Sequence, residues 1–287
     1  MKQIVLLASL LAAVIISKAQ APSEKTLLWE ISGNGLTQSS YLFGTLHLMC
    51  PSELKMPATV QQKFATTKQL FLEIDMDDPN MMMEMMQGMQ MHNDTTLKQL
   101  LKNDYDSISS IFLSKTGMPL KMLNTTKPFL LLSMIYPSLL GCQPISWEGE
   151  FVKMAKEKNM EVKGLELIAD QIKIFEQIPY NVQASMFIKT LYNLDSSRLV
   201  FDDMVKVYKE KDIKKMHDMT TSDSDLGEYE NELLNKRNHN WIPIIGMQAK
   251  KMPTFFAFGA GHLAGEQGVI NLLRKNGFTV TPVHYKN

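Results

Sequence analysis

Two histidines stand in the same local setting near opposite ends of the chain. Residues 41–47 are YLFGTLH and residues 255–262 are FFAFGAGH, in each case an apolar run followed by Gly-x-x-His. Imidazole is the side chain best suited to bind a first-row metal or to move a proton near neutral pH. Two imidazoles presented alike suggest one crevice built from both ends of the chain, although each could instead satisfy a hydrogen bond in the core. Gly44, Gly259 and Gly261 keep the backbone bare where something must approach closely.

Carboxylates occupy comparable positions. Glu73 ends the apolar part of QLFLEID at 69–75, and Glu166 lies near the end of EVKGLEL at 161–167. A carboxylate beside such a run is costly unless it is paired, solvated or bound to a cation. If the four runs share a sheet and point the same way, His47, Glu73, Glu166 and His262 converge. That mixed N/O set suits Mn²⁺, Co²⁺, Zn²⁺ or Fe²⁺. A metal with an open position ionises water near neutral pH and so supplies a nucleophile, and one carboxylate could serve as general base. Arg237 and Asn238, in RNHNW at 237–241, can stabilise an oxyanion or align a carboxylate. Arg237 could equally make a helix-face ion pair. Glu148 and Glu150 fall in the first turn of a predicted helix, where the helix dipole favours acids for purely structural reasons.

The elements that must hold these groups follow from periodicity. Strand-like runs occur at 26–32 and 40–46, joined through Gly33-Asn34-Gly35 as a hairpin that delivers His47. Others occur at 69–75, 161–167, 254–261 and 278–283. Helical spacing appears at 56–68, 95–115, 128–140, 146–158, almost throughout 168–250, and at 265–275. These predict an α/β (α+β) fold. Its mixed central sheet is built from both ends of the chain, about 26–75, 161–167 and 254–283, with a large helical lobe inserted at about 80–250. Residues 22–287 are expected to form a single domain. The segment GAGHLAG at 259–265 approaches a dinucleotide fingerprint, but the next strand offers no acid for a ribose.

Composition narrows the setting. Residues 1–21 carry Lys2, an apolar stretch at 4–16 and small residues at the cleavage positions, the pattern of a signal peptide; a secreted or periplasmic location is expected. Lys plus Arg and Asp plus Glu both number 30, and no basic stripe suggests nucleic acid. The apolar segment at 128–140 is short and holds Pro137, so no stable membrane span is expected after signal cleavage. Cys50 and Cys142 are the two cysteines; in an oxidising compartment they could pair, but sequence cannot place them in reach. The run MMMEMMQGMQM at 81–91 suits a helix or mobile loop with an adaptable apolar face, and a Cu(I) site is the alternative.

Taken together, FGTLH, LFLEID, GLE, RNHNW and GAGHLAGEQGV resemble the TraB/GumN family, which includes the Tiki proteins. The resemblance covers essentially the whole of 22–287. Tiki proteins are metal-dependent peptidases that use Mn²⁺ or Co²⁺ to trim Wnt ligands. The resemblance implies that His47 and His262 are catalytic or metal-binding, with Glu73 as a site acid and Glu148, Glu166, Arg237 and Asn238 as further members. Glu148 joins His47, His262 and Glu73 in the implied metal set; Mn²⁺ or Co²⁺ is favoured and Zn²⁺ is compatible. The expected function is a metal-dependent hydrolase, foremost a peptidase acting on extracytoplasmic peptides or proteins. The alternative is a protein of the same fold that sequesters a peptide or signal without cutting it. The signal peptide suits a bacterial secreted relative, so a Wnt substrate is not implied.

Overall fold

In the computed structural model, which describes residues 22–221 and 226–286, the strand-forming runs become β1 (Leu28–Gly33), β2 (Ser40–Thr45), β3 (Gln69–Leu72), β4 (Glu161–Gly164), β5 (Thr254–Gly259) and β6 (Phe278–Pro282). They form one mixed sheet in the order β4-β3-β5-β2-β1-β6. The hairpin β1–β2 is antiparallel, as the turn residues require, and β6 adds antiparallel to β1. The neighbours β4, β3, β5 and β2 are parallel. Their carboxyl ends therefore lie along one edge, the condition on which convergence of the four candidate side chains depended. The expected signal peptide at 1–21 lies outside the described residues.

Every residue of β2 and β5 is buried, which is why both are apolar runs and not alternating ones. Successive side chains of β5 point to opposite faces. Phe255 meets Phe43, Phe64 and Phe151, with ring centroids 6.3, 5.2 and 5.0 Å away. That cluster fastens the helices Ala58–Ala65 and Trp147–Glu157 to one face. Phe258 points the other way and meets Trp241 at 5.4 Å, which brings the helix Lys236–Lys251 onto the second face. Each ring buried in this way stabilises by roughly 1.5–3 kcal/mol relative to exposure.

A second apolar cluster, including Leu97, Ile108, Phe112, Leu131 and Phe187, lies within the helical lobe. One helix was expected over 95–115, and the chain instead makes two, Leu97–Leu101 and Tyr105–Thr116. Lys102 takes a φ of 50° and starts the short turn Lys102–Asp104. Asn103 and Asp104 are weak helix formers whose side chains compete for backbone groups, while Leu97, Leu101, Ile108 and Phe112 are all buried across the break. Within the helical stretch read over 168–250, the helix Lys236–Lys251 carries RNHNW in its first turns. The run at 81–91 yields the helix Met81–Gly88. Among the described residues no helix is long and apolar enough to cross a membrane.

Cys50 and Cys142 form a disulfide, with Cα atoms 5.8 Å apart and a sequence separation of 92. Beside it, Met49 and Ile145 pair in an isolated antiparallel bridge. The two links tie the segment after His47 to the segment before Glu148. Removing the disulfide by Cys50→Ser with Cys142→Ser is expected to lose about 2–5 kcal/mol, because the unfolded chain regains the freedom of a long loop. Urea unfolding of both proteins measures this, and coincident midpoints would show that the crosslink adds no stability.

Candidate active site

Each side chain reaches the crevice by a short route from a strand end. The chain leaves β2 at Thr45 and presents His47 after one further residue. Past β3 and β4 the pairing continues: Leu165 N–H donates to Leu72 O at 2.8 Å and Glu166 N–H to Glu73 O at 2.9 Å. Glu73 and Glu166 are thereby held side by side. From β5 the single turn Ala260–His262 folds the second imidazole inward until it is buried. The first turn of Lys236–Lys251 contributes Arg237 and Asn238. Four residues on, Trp241 lies on the same helix face as Arg237.

Two of the predicted bare positions turn out to serve the chain itself. A Cβ on Gly44 would stand 2.6 Å from Leu263 Cδ1 and 3.0 Å from Ala260 Cβ, so this glycine admits the turn that carries His262. A Cβ on Gly261 would press on Thr220. Gly259 alone faces the crevice: a Cβ there would lie 3.2 Å from His47 Nε2 and 3.3 Å from Glu73 Oε1.

Arg237 is the hub. Its Nη2 donates to Glu73 Oε2 at 2.5 Å and to Glu166 Oε1 at 2.6 Å, and its Nε to Glu166 at 3.1 Å. Nη1 donates to Leu233 O at 3.0 Å and faces His262 Nε2 at 3.2 Å. All three nitrogens are thus engaged within the chain. Arg237 lies between the two carboxylates, and its N–H groups are directed at acceptors within the chain. Burial works against charge on Glu73, but Arg237 beside it, both histidines and the Gly259 N–H hold its carboxyl well below the usual range. Burial likewise opposes charge on Arg237, and the paired carboxylates overcome it and raise its pKa.

Each imidazole has its Nδ1 proton fixed by a neighbour. Asn238 Nδ2 donates to Gln267 O at 2.8 Å, so its Oδ1 must accept from His262 Nδ1–H at 2.6 Å. That leaves His262 Nε2 without a proton, accepting from Arg237 Nη1 at 3.2 Å. Burial, then Arg237, lowers its pKa from 6.5 to about 3, and the ring is neutral. Asn238, expected to align a carboxylate or an oxyanion, aligns a histidine. On His47, Nδ1 donates to Glu148 Oε1 at 2.8 Å, and the Thr45 hydroxyl donates to the same oxygen. Burial opposes a proton on His47, but Glu148 and Glu73 outweigh it and raise the pKa to about 9. The His47 side chain is 59 % exposed, so solvent weakens the desolvation and screens the carboxylates alike, and the upward direction rests on the close Glu148 contact at 2.8 Å. Burial opposes ionisation of Glu148 too, and His47 with Thr45 still lowers its pKa.

His47 Nε2 and His262 Nε2 lie 3.7 and 3.9 Å from one atom, Glu73 Oε1. Among the described residues no three His, Cys, Asp or Glu side chains form a ready metal cage. The chemistry of the donor set nevertheless fits a divalent cation. Both rings carry hydrogen-bond partners on Nδ1 and turn Nε2 inward, the arrangement that orients metal-binding histidines. Glu148 was expected among the ligands. It instead stands behind His47, on the Nδ1 edge, and its Oε2 is buried without a partner.

Three contributors escaped sequence reasoning. Gln171 Nε2 donates to Glu73 Oε2 at 3.3 Å and Glu166 Oε1 at 3.1 Å. Trp241 Nε1 donates to Glu166 Oε2 at 3.2 Å, and its ring lies 4.5 Å from that of His262. Thr45 bonds Glu148. Thr45 lies inside the first Gly-x-x-His motif and Trp241 ends RNHNW, so their positions were in view without a role. Gln171, an amide on an amphipathic helix, gave no signal at all.

A family model, that of the TraB/PrgY/gumN family, matches residues 27–282. No curated protein and no solved structure matches the chain.

In metal-free protein, imidazole NMR is expected to show His47 titrating near 9 and His262 unprotonated down to about 3; Glu148→Gln should return His47 towards 6.5. The stability due to His47 is full below 6.5 and lost as pH rises through about 9. His262, neutral when folded, withdraws stability as pH falls from 6.5 towards 3. Glu73 and Glu148 withdraw more as pH falls below their unfolded value of 4.5. A urea midpoint that is flat from pH 4 to 9 would contradict this assignment.

Proposed function

The chain belongs to the TraB/PrgY/gumN family, and we propose that within it this protein is a metal-dependent hydrolase that cuts peptide bonds in extracytoplasmic peptides or proteins. One observation carries the reading. Imidazoles from opposite ends of the chain turn their Nε2 edges to the same oxygen of a buried, ionised glutamate. His47, His262 and Glu73 would hold the cation, with Mn²⁺ or Co²⁺ favoured by the family resemblance and Zn²⁺ compatible with the donors. When bound, a divalent cation supplies Lewis-acid polarisation of a carbonyl and an ionised water near neutral pH.

The remaining residues prepare that chemistry. Glu148 and Asn238 keep protons on the two Nδ1 atoms. Arg237 offsets the charge of Glu73 and Glu166, and Gln171 bridges the two carboxylates. Gly259 leaves the backbone open beside His47 and Glu73. The Cys50–Cys142 disulfide supports an oxidising, extracytoplasmic compartment, in keeping with the signal peptide read at 1–21.

A second reading, capture of a peptide without cleavage, is favoured by one feature: Arg237 spends its donors within the chain and offers none to a developing oxyanion. Calorimetric titration of the metal-stripped mature protein with Mn²⁺, Co²⁺ and Zn²⁺, beside His47→Ala and His262→Ala, tests the metal. Affinity is expected to fall by at least tenfold in each variant. Near pH 7, binding should release about one proton, because His47 must lose its own while His262 has none to lose. Affinity that is unchanged in either variant would remove the metal site. Mass spectrometry of a peptide mixture tests cleavage: products that vanish in both variants support the hydrolase, and stoichiometric capture of intact peptide supports the second reading.

A further inference from the structure

Beside Glu166 and Arg237 opens a cleft of about 780 Å³, within the usual range for ligand sites. Its wall is both apolar and acidic. Leu167, Ile174 and Ile244 supply aliphatic surface, and Leu167 is 68 % exposed. Three ion pairs on the wall cancel: Glu161 with Lys163, Glu232 with Lys236, and Glu166 with Arg237. Asp75, Asp78 and Asp170 remain. Asp170 pairs with Lys173, which is not part of the wall. Asp78 accepts the backbone N–H of Asn80; Asp75 accepts that of Asp77 and is hydrogen-bonded to the Asp77 side chain, and no cation pairs with either among the described residues. The cleft therefore keeps uncompensated negative charge next to aliphatic surface, a match for a long basic side chain that lays its stem on carbon and its head among carboxylates.

A second surface adjoins it. The helix Met81–Gly88 begins three residues after Asp78 and buries none of its residues. Met82, Met83, Met85 and Met86 are all exposed. This helix lies on Ile168–Glu176, where a Cβ at Gly88 would overlap Ile172. The helix Ile168–Glu176 also supplies Asp170 and Ile174 to the cleft and Gln171 to the site carboxylates. Flexible thioethers accommodate varied apolar side chains.

We propose that the cleft is a specificity subsite for a lysine or arginine side chain of an extended peptide, and that the methionine helix carries the apolar residues next to it. This rests on the reading of the crevice as a peptide site, and it deepens that reading by naming the peptide class: basic and apolar, not acidic.

The test uses three labelled unstructured peptides of equal length that differ at one central position: lysine, norleucine or glutamate. Fluorescence anisotropy with the whole mature protein, chelator present, reads affinity without turnover. The lysine peptide is expected to bind at least tenfold more tightly than the glutamate peptide, with norleucine between. The preference should collapse at high salt and in Asp75→Asn with Asp78→Asn. Met82→Ser with Met86→Ser should weaken all three peptides alike. Affinities within twofold of one another, or a preference that persists in the double Asn variant, would overturn the proposal; the salt arm decides if that variant misfolds. Cleavage assayed separately keeps the two ideas apart. A charge preference without cleavage leaves the subsite standing and removes the hydrolase. Cleavage without charge preference does the reverse.

Discussion

One buried guanidinium holds the crevice together. Arg237 joins Glu73, just past β3, to Glu166, just past β4, and touches His262 in the turn after β5. None of these groups could be buried alone, since an unpaired charge in such surroundings costs several kcal/mol. Together they satisfy one another, and Trp241 and Gln171 take up remaining acceptor positions on the carboxylates. The same contacts set the ionisation of the site. Arg237 helps to keep Glu73 charged, and burial together with Arg237 keeps His262 neutral. The network belongs equally to the fold, because its members come from the segments that follow β3, β4 and β5 and from the helices Ile168–Glu176 and Lys236–Lys251.

The two histidines are alike in motif and opposite in electrostatic state. His47 sits at an open rim with a carboxylate on its Nδ1, and His262 is enclosed with an amide on its Nδ1 and a cation near its Nε2. A carboxylate partner favours the imidazolium, whereas an amide beside a guanidinium disfavours it. Groups pushed apart in this way can take different parts in one reaction. The asymmetry originates in what each strand end meets: the helix Trp147–Glu157 behind His47, and the helix Lys236–Lys251 behind His262.

One helix of the lobe joins the crevice to the surfaces beside it. Ile168–Glu176 touches the site carboxylates through Gln171, lines the adjoining cleft, and supports the exposed methionine helix. A substrate lying along these surfaces would pass directly beside Glu166 and Arg237. The disulfide does comparable work on the other flank, where it ties the His47 segment to the helix that carries Glu148.

Much of this was legible in the chain alone. The unbroken apolar runs of β2 and β5, the Gly33-Asn34-Gly35 turn and the paired Gly-x-x-His motifs determined a sheet built from both ends, because burial and turn geometry act locally on residue type. The four strand-end side chains were legible for the same reason. Partnership was not. Whether Glu148 served a helix dipole or an imidazole, whether Asn238 faced a carboxylate or a histidine, and whether Gly44 made room for a ligand or for Ala260 depended on which helix packed where. Gln171 had no local signal, and Cys50 and Cys142 could be matched only once the fold brought their segments together. Those choices are made by contacts between residues far apart in sequence, so only the tertiary structure decided them.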